Sequence, residues 1–390
     1  MYTLKDISVV IPSYNNLEYL KLIYNSVRSI SNDIEVILFD DGSDDGTDEW
    51  MASLTDKNTI LHILQNRIGH TILYDRGFKE ASGKIIGILH ADMIVHKSFF
   101  DNILKHINKG KVVCGTCVEP PLHPPGGEKH IFDAGLYPNE FNEELFTDFC
   151  NKVEGGVSEG IFAPWFLLKD EYFDKIGGHD TIYAPYGYED SDLFTRMALA
   201  GFNFIQSRDA LVYHFTQRGH KWTNGVGIEN DGYREQMQKT RKSYIRKFGT
   251  DPIFDENRKP IPSPKYNIGL VVHNCNLSLL ELLEPICDRI YVDERFEIGR
   301  AWDYVEMESV NTHYDLSKRI AFIGNQTPSD YEDIIVEFDA TKLTNENIQF
   351  LFQLPSVLRD SGQIGKMEWD IFYITINSLK EYQADLIKIK

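Results

Sequence analysis

The chain has 390 residues, of which 42% are hydrophobic and 25% are charged. This is the composition of a globular protein long enough for two domains, and it excludes disorder or a coiled coil as the main architecture. The formal net charge of −19, from 59 acidic and 40 basic residues, argues against a surface built to bind a nucleic acid or an anionic membrane.

The sequence shows no targeting or membrane-spanning pattern. The first residues lack a basic stretch followed by an apolar run and a cleavage site, so no secretory signal is predicted. No apolar run approaches the roughly 20 residues that a membrane-spanning helix needs. Five cysteines, an odd and small number, favour a reducing compartment over a disulfide framework. We therefore predict a cytoplasmic protein without an integral membrane segment, and we leave peripheral membrane contact open.

Residues 6 to 100 alternate between short apolar runs and amphipathic segments, which predicts parallel strands connected by helices. Strands are predicted at 7–11, 34–39, 59–64 and 84–89, and helices at 17–30, 47–54 and 71–81. Polar clusters come directly after three of the strands, at residues 13–16, 40–45 and 90–92. Because ligands of such sheets lie beyond the carboxyl ends of the strands, the clusters predict one binding site.

The pattern changes in the second half of the chain. Residues 188–201 predict a helix with acidic residues in its first turn, where they suit the helix dipole. Four prolines at 251–264 predict a linker. We predict a first α/β domain at 1–250, a proline-rich linker at 251–265, and a small acidic α/β domain at 266–390. The sequence of the C-terminal domain indicates no particular chemistry. We leave open that this domain docks a protein partner or dimerises.

Several strand-end residues are candidates for chemistry, each with a structural alternative. Asp40 and Asp41 can accept hydrogen bonds from a base or ribose, or else belong to a turn and helix cap. Asp92 closes an apolar strand and needs a metal ion, a cation or solvent as its partner. His214 ends another apolar run and offers an imidazole to a divalent metal, although a lone histidine is more often structural.

Carboxylates and aromatic residues also gather around the start of the predicted helix at 188–201. Acidic residues in a first turn are common for stability alone, and we interpret Asp192 in that way. Asp190 is a candidate base. Trp165 and Tyr186 are aromatic residues near Glu189, and a place in the core is the structural alternative for both.

Taken together and in this order, these segments resemble the family 2 glycosyltransferases of the GT-A fold over about residues 6–220. The segments that carry the resemblance are 9–15, 38–47, 66–69 with Gly77, 81–92, 175–180, 189–193 and 210–214. The resemblance implies a Rossmann-like mixed sheet flanked by helices. It also implies an enzyme that transfers a sugar from a nucleotide-diphosphate donor to a glycan or polysaccharide.

The resemblance implies the roles of the donor-site residues. Asp40 and Asp41 would contact the base and ribose of the nucleotide-sugar. Asp92 would be the metal-binding aspartate of the Asp-x-Asp motif, and His214 a further ligand of Mn²⁺ or Mg²⁺. The other residues implied on the donor side are Pro12, Ser13, Tyr14, Gly69, Arg76, His90 and Ala91.

The resemblance implies that Asp190 is the general base. It would take the proton of the acceptor hydroxyl during an in-line attack that inverts the anomeric configuration. The acceptor side would include Trp165, Tyr186 and Glu189.

The chain departs from the family pattern at two places. His90 stands where the Asp-x-Asp motif has its first aspartate, so the usual contact of that residue to ribose or to a metal-bound water is altered or lost. Leu73-Tyr-Asp75 stands at an alanine-arginine-asparagine stretch, and the neighbouring Arg76 is a substitute for the missing arginine. These departures leave open a degenerate relative that binds a nucleotide-sugar or a glycan without transferring it.

Other interpretations have weaker support. Gly156-Val-Ser-Glu-Gly160 matches the nucleophile elbow of α/β-hydrolases, but the segment before Ser158 is a poor strand and Pro164 interrupts the segment after it. A nucleotidyltransferase would need a glycine-rich basic loop that residues 12–16 do not provide. Residues 216–225 are a candidate flap that brings Arg218 or Lys221 to the diphosphate.

Overall fold

The computed structural model describes residues 2–216, 230–293 and 298–389. The chain divides into two compact units. Unit 1 contains Met1–Gln236, Phe254–Ile261 and Lys388–Lys390, and unit 2 contains Met237–Ile253 and Pro262–Ile387. Arg218 and Lys221 of the predicted flap lie outside the described residues. The domain boundaries expected near 250 and 265 stay a prediction.

Unit 1 is built on a mixed sheet. Its strands are β1 (Ile7–Ser13), β2 (Glu35–Asp40), β3 (Thr59–Ile63), β4 (Ile85–Ile88), β5 (Met93–Val95), β6 (Lys111–Glu119), β7 (Lys129–Ile131), β8 (Val157–Ser158), β9 (Trp165–Leu168) and β10 (Asn203–His214). Its helices are α1 (Leu17–Ile30), α2 (Thr47–Ala52), α3 (His70–Glu80), α4 (Phe99–Leu104), α5 (Glu143–Cys150), α6 (Lys169–Glu171) and α7 (Glu189–Leu199).

The strand order is β3-β2-β1-β4-β9-β6-β10-β5, with β7 on β6 and β8 on β10. Strands β1 to β4 pair in parallel, as the alternating pattern predicts. β9 runs antiparallel between β4 and β6, and β5 runs antiparallel to β10. The Rossmann-like mixed sheet flanked by helices is therefore confirmed.

The apolar periodicity of the sequence explains how the helices attach to this sheet. In α1, Leu20, Ile23 and Val27 recur at helical spacing and are fully buried. In β1, the apolar run from Ile7 to Ile11 is buried on both faces, as expected for a strand covered by helices on each side. The predicted bounds of 17–30 coincide with α1.

The strand order also determines where a ligand can bind. The chain runs outward from β1 to β2 and β3, then returns to the other side of β1 as β4. Ligands of open α/β sheets bind at such a reversal, beyond the carboxyl ends of the strands. Ser13 at the end of β1 is in register with Asp40 at the end of β2, and β4 leads directly to His90.

Unit 2 has its own sheet, in the order β13-β12-β11-β14-β16-β15. Its strands are β11 (Ile268–His273), β12 (Arg289–Val292), β13 (Ile320–Phe322), β14 (Ile334–Asp339), β15 (Gly365–Trp369) and β16 (Phe372–Ile376). The remaining helices are α8 (Asp231–Phe248), which enters unit 2 at Met237, and α9 (Leu277–Leu283), α10 (Ile298–Ser309) and α11 (Gln349–Ser361). The docking or dimerising role considered for the C-terminal part stays a prediction.

A buried ionic cluster lies inside unit 2. Arg246 Nη2 lies 2.7 Å from Glu284 Oε2, and Arg319 Nε lies 2.5 Å from Glu284 Oε1. The side chains of Arg246 and Glu284 are fully buried. Burial alone would raise the pKa of Glu284, but Arg319 and Arg246 outweigh it and lower that pKa. Among the described residues of both units, no helix has the length and apolar character needed to cross a bilayer.

Candidate functional site

The structure brings together a group of metal-ligand side chains at the carboxyl ends of the strands. His90, Asp92 and His214 each offer one ligand atom, and these atoms all lie within 4.8 Å of one another. His214 Nε2 lies 3.5 Å from Asp92 Oδ1. The antiparallel pairing of β5 with β10 sets His214 opposite Met93, beside Asp92. The two predicted ligands, Asp92 and His214, are thus neighbours, and His90 joins them.

A second layer behind this group orients His214. Its Nδ1–H donates to Glu119 Oε1 at 2.9 Å, and Lys129 Nζ donates to Glu119 Oε2 at 2.9 Å. Burial alone would raise the pKa of Glu119, but His214 and Lys129 lower it to about 2. Burial likewise opposes a charge on His214, but the carboxylate of Asp92 outweighs it and raises that pKa. Glu119 is not among the residues expected from the sequence, although it is a polar residue that ends an apolar strand.

A second possible ligand group shares His214 with Cys117 and Glu119. Cys117 Sγ donates to the carbonyl oxygen of Ala163 at 3.3 Å, and burial raises the pKa of the thiol. His214 Nδ1 is already bonded to Glu119. The group formed by His90, Asp92 and His214 is therefore better suited to a metal ion.

The acidic turn after β2 is held by hydrogen bonds to backbone amides. Asp41 accepts from the amide of Ile68 at 2.7 Å and from that of Gly69 at 2.9 Å, one bond to each oxygen. Asp40 Oδ1 accepts from the amide of Ser43 at 3.0 Å. Burial raises the pKa of Asp41. Both aspartates therefore shape the loops around the predicted donor site.

Polar and aromatic groups at the end of β1 complete this part of the site. The Ser13 hydroxyl is buried and has no hydrogen-bond partner among the residues that the structure describes. Tyr14 comes next in the chain and is partly exposed. Pro12 lies in β1 opposite Phe39, and Ala91 is buried between His90 and Asp92.

An arginine that the sequence did not single out lies over these residues. The guanidinium carbon of Arg67 is 4.1 Å from the ring centroid of Tyr14 and 5.4 Å from that of Tyr186. Its Nε is 3.9 Å from Asp41 Oδ2. Arg76, the substitute expected from sequence, is exposed on α3. Arg67 lies within the segment 66–69 that carries the family resemblance. Its place in that segment is the feature of the sequence that could have indicated a role in the site.

Asp75 belongs to the stretch Leu73-Tyr-Asp75, where the chain departs from the family pattern for the second time. Its side chain makes contacts within the protein that hold the fold together. It accepts a hydrogen bond from the Tyr172 hydroxyl at 2.5 Å and from the backbone amide of His179 at 3.0 Å. These contacts fasten α3 to the segment after α6. The contacts of this aspartate therefore serve packing.

Gly69 allows a close approach that positions the aromatic loop. Its φ is +94°, and a Cβ at this position would lie 2.2 Å from the Cα of Pro185 and 2.3 Å from its carbonyl oxygen. Both are backbone atoms, so a side chain at residue 69 would displace the loop. That loop leads to Tyr186 and to the start of α7.

The start of α7 carries the candidate base. Glu189 and Asp190 are its first two residues, and His70 Nε2 lies 2.9 Å from Glu189 Oε1. Burial and the neighbouring Glu189 carboxylate raise the pKa of Asp190. Asp192 is bonded to Arg196 at 2.7 Å, and both side chains are fully buried, which confirms its structural interpretation. His70 was not expected here from the sequence.

Tyr74 is a buried residue of α3 near charged groups of the site. Burial raises the pKa of Tyr74 well above its usual value, and the charges of Asp190, Glu189 and Asp92 raise it further. The tyrosine hydroxyl therefore has the candidate base and the candidate metal ligand within electrostatic reach.

The two aromatic residues expected on the acceptor side differ in their surroundings. Trp165 is fully buried in β9 and packs on Phe78 and Tyr172, so its ring belongs to the core of this structure. Tyr186 is stacked on Tyr233, with ring centroids 6.1 Å apart, and lies beside Arg67. Of the two, Tyr186 is the one beside the candidate site.

The hydrolase interpretation has no structural support. Ser158 lies in β8, which pairs with β10, and donates to Gln206 Oε1 at 3.2 Å. The next element after β8 is β9, so no helix directly follows the serine. A nucleophile elbow requires a helix there.

Comparison with known proteins supports a transferase domain. Residues 8–177 match the family described as glycosyl transferase family 2, and residues 156–221 match the N-terminal domain of galactosyltransferase. The chain is 26% identical over 256 residues to an uncharacterized glycosyltransferase, YfnE, of Bacillus subtilis strain 168, covering 53% of this chain and 64% of that protein. It is 25% identical over 229 residues to validoxylamine A glucosyltransferase of Streptomyces hygroscopicus subsp. jinggangensis, covering 52% and 54%. The chain thus spans less than two thirds of the length of these curated relatives.

Two solved structures are among those that match part of this chain. The mannosyltransferase PcManGT from Pyrobaculum calidifontis, in complex with GDP-Man and Mn²⁺, is 18% identical with a TM-score of 0.42, covering 62% of this chain and 63% of that one. GalNAc-T7 with UDP, GalNAc and Mn²⁺ is 14% identical with a TM-score of 0.44, covering 64% and 51%. The family match and the strand order of the sheet, and not these two structures, identify the domain. Residues 8–177 of this chain belong to glycosyl transferase family 2 and have the GT-A fold.

Proposed function

We propose that the chain is an inverting, metal-assisted glycosyltransferase. It moves a sugar from a nucleotide-diphosphate donor to a hydroxyl group of a glycan or polysaccharide acceptor. The observation that carries this proposal is the group of His90, Asp92 and His214 at the carboxyl ends of the strands, whose ligand atoms all lie within 4.8 Å of one another. A metal site at this edge of the sheet suits the charged diphosphate that leaves in this reaction.

The donor binds at the carboxyl ends of β1, β2 and β4. Asp40 and Asp41 shape the loops that receive the base and ribose, and the buried Ser13 hydroxyl offers a hydrogen bond to the ligand. Arg67 brings a positive charge beside Tyr14, where an acidic protein needs one to hold an anionic nucleotide.

Asp92 and His214 hold a divalent cation, Mn²⁺ or Mg²⁺. Their donor atoms suit such an ion, since one is a carboxylate and the other an imidazole held in place by Glu119. When bound, the cation neutralises the charge that develops on the leaving diphosphate. Glu119 and Lys129 keep the His214 ring in its orientation.

Asp190 acts as the general base on the acceptor side. It takes the proton of the acceptor hydroxyl as the acceptor oxygen bonds to the anomeric carbon and the bond from that carbon to the diphosphate oxygen breaks. Attack from the side opposite the diphosphate inverts the anomeric configuration. Glu189, paired with His70, and Tyr186 form the wall next to the acceptor.

A screen of nucleotide-sugars tests this proposal. Thermal unfolding is measured with UDP-, GDP- and dTDP-sugars, each with and without MnCl₂, because a ligand at about 100 times its Kd stabilises the folded state by about 2.7 kcal/mol. Release of the nucleoside diphosphate is then assayed with glycan acceptors. Stabilisation followed by acceptor-dependent release is expected. Absence of stabilisation by every donor would contradict the proposal, and binding without turnover would support the degenerate alternative.

A further inference from the structure

His90 occupies the position at which this chain departs from the Asp-x-Asp pattern, and the structure shows where its ring lies. Its ring centroid is 5.6 Å from that of His214, and one of its nitrogens belongs to the group of three ligand atoms within 4.8 Å of one another. Ligand atoms at about 2.1 Å from one ion are at most about 4.2 Å apart. Small side-chain movements therefore suffice to bring all three atoms onto one ion.

The orientation of His214 supports the same arrangement. A carboxylate only accepts hydrogen bonds, so the 2.9 Å contact with Glu119 Oε1 fixes the proton on Nδ1 of His214. Its Nε2 then lies 3.5 Å from Asp92 Oδ1 and is the ring nitrogen on the side of the ligand group. Carboxylate–histidine pairs of this kind orient imidazole ligands in metal sites and raise their basicity.

The charge balance of the group differs from that of a site with two aspartates. Asp92 is the one carboxylate among the three ligands, and Glu119 behind His214 is compensated by Lys129 at 2.9 Å. A neutral imidazole at residue 90 therefore replaces both a negative charge and an oxygen ligand.

We propose that His90 is a metal ligand, and that the resulting set of two imidazoles and one carboxylate makes this site prefer Mn²⁺, Co²⁺ or Zn²⁺ over Mg²⁺. Imidazole suits first-row transition metals, whereas Mg²⁺ is held by oxygen ligands. The inference rests on the proposed function in that it concerns the same metal site. It adds a ligand and a selectivity that neither the family match nor the predicted pair, Asp92 and His214, supplies.

Direct metal titration tests the inference without any need for turnover. The full chain is titrated with CoCl₂, MnCl₂ and MgCl₂, alone and again with UDP or GDP present, and Co²⁺ binding is followed by calorimetry and by its visible absorption. The variants are His90→Gln, His90→Asp and His214→Ala. His106→Gln, a histidine outside the ligand group, is the matched control. Thermal unfolding without metal shows that each variant is folded.

The wild type should bind Co²⁺ more tightly than Mg²⁺, and His90→Gln should weaken Co²⁺ binding by about tenfold or more. His90→Asp should reduce the ratio of Co²⁺ to Mg²⁺ affinity by about tenfold and change the Co²⁺ spectrum. The control should match the wild type.

Two results would overturn the inference. One is the absence of Co²⁺ binding by the wild type under both conditions. The other is an unchanged Co²⁺ affinity and spectrum in both His90 variants. If His214→Ala then still abolishes metal binding, the metal site of the proposed function survives and the role of His90 does not. Conversely, His90-dependent Co²⁺ binding without any nucleotide-sugar binding would retain this inference and remove the proposed function.

Discussion

His70 Nε2 lies 2.9 Å from Glu189 Oε1, and this contact joins the first turn of α3 to the first turn of α7. Because of this contact, the adjacent carboxyl groups of Glu189 and Asp190 differ in the direction in which their pKa values are shifted. Burial alone would raise the pKa of Glu189, but His70 outweighs it and lowers that pKa, whereas burial and Glu189 raise the pKa of Asp190. A pair of carboxyl groups with opposed pKa shifts is a common arrangement for acid–base catalysis.

We expect Asp190→Asn to reduce turnover by about 10²- to 10⁴-fold, the range that general base catalysis supplies. The amide cannot take the acceptor proton, but it occupies the same volume, so donor affinity should change little. Diphosphate release gives kcat, and calorimetry gives the donor Kd. Asp174→Asn, at an exposed aspartate, is the control. Undiminished turnover in Asp190→Asn would remove the base assignment.

The pH dependence of turnover should respond in opposite directions to two substitutions. Asp190 must be ionised to act as a base, so kcat should rise with pH through its pKa. Glu189 raises that pKa, so Glu189→Gln should move the rising limb to lower pH.

His70 and His179 lower the pKa of Asp190, so His70→Gln should move the limb to higher pH. The measurement is kcat against pH for both variants and the wild type. If both variants shifted the rise of kcat in the same direction along the pH axis, a group other than Asp190 would control that rise.

Arg67 and Arg76 can be distinguished as donor-binding residues. Arg67→Ala should raise the donor Kd by about 10- to 100-fold, because a hydrogen bond to a charged group contributes about 1.5 to 3 kcal/mol. Arg76→Ala is the paired variant, and Lys79→Ala, at an exposed position on the same helix, is the control. Calorimetry with the donor identified by the screen measures each Kd. A larger loss in Arg76→Ala than in Arg67→Ala would favour the residue expected from sequence.

Gly69→Ala should destabilise unit 1 and impair turnover. The methyl group of an alanine there would meet the backbone of Pro185. The backbone of that alanine would also have to keep a positive φ. Gly110→Ala is a matched control, because Gly110 has a φ of +74° and a Cβ added to it would meet nothing within 4 Å. Urea unfolding should show a loss of about 1 kcal/mol for Gly110→Ala and clearly more for Gly69→Ala. Equal losses would mean that the loop accommodates the methyl group.

The elements of the first half could be predicted because their patterns are local. The apolar spacing of Leu20, Ile23 and Val27 determines α1, and the placement of Asp40 and Asp92 follows from the apolar strands that precede them. The antiparallel insertion of β9 between β4 and β6 could not be predicted, because no local pattern states which strands become neighbours.

The site residues that could not be predicted, Glu119 and His70, contact predicted residues across long stretches of chain. Glu119 and His214 are 95 residues apart, and His70 and Glu189 are 119 residues apart. No spacing rule links such pairs, and only the fold brings them together. Trp165 illustrates the opposite difficulty, since an aromatic residue near a site in sequence packs into the core.

The buried cluster of unit 2 has a consequence for dividing this chain into fragments. A fragment that begins at residue 266, the expected start of the C-terminal domain, lacks Arg246 and leaves Glu284 buried with Arg319 as its remaining guanidinium partner from this cluster. Removing one partner of a buried ion pair costs about 3 to 5 kcal/mol. The C-terminal unit should therefore fold from a fragment that starts at Met237, and the shorter fragment should unfold at lower urea concentration. The second half of α8 thus supplies a buried charge that stabilises the later part of the chain.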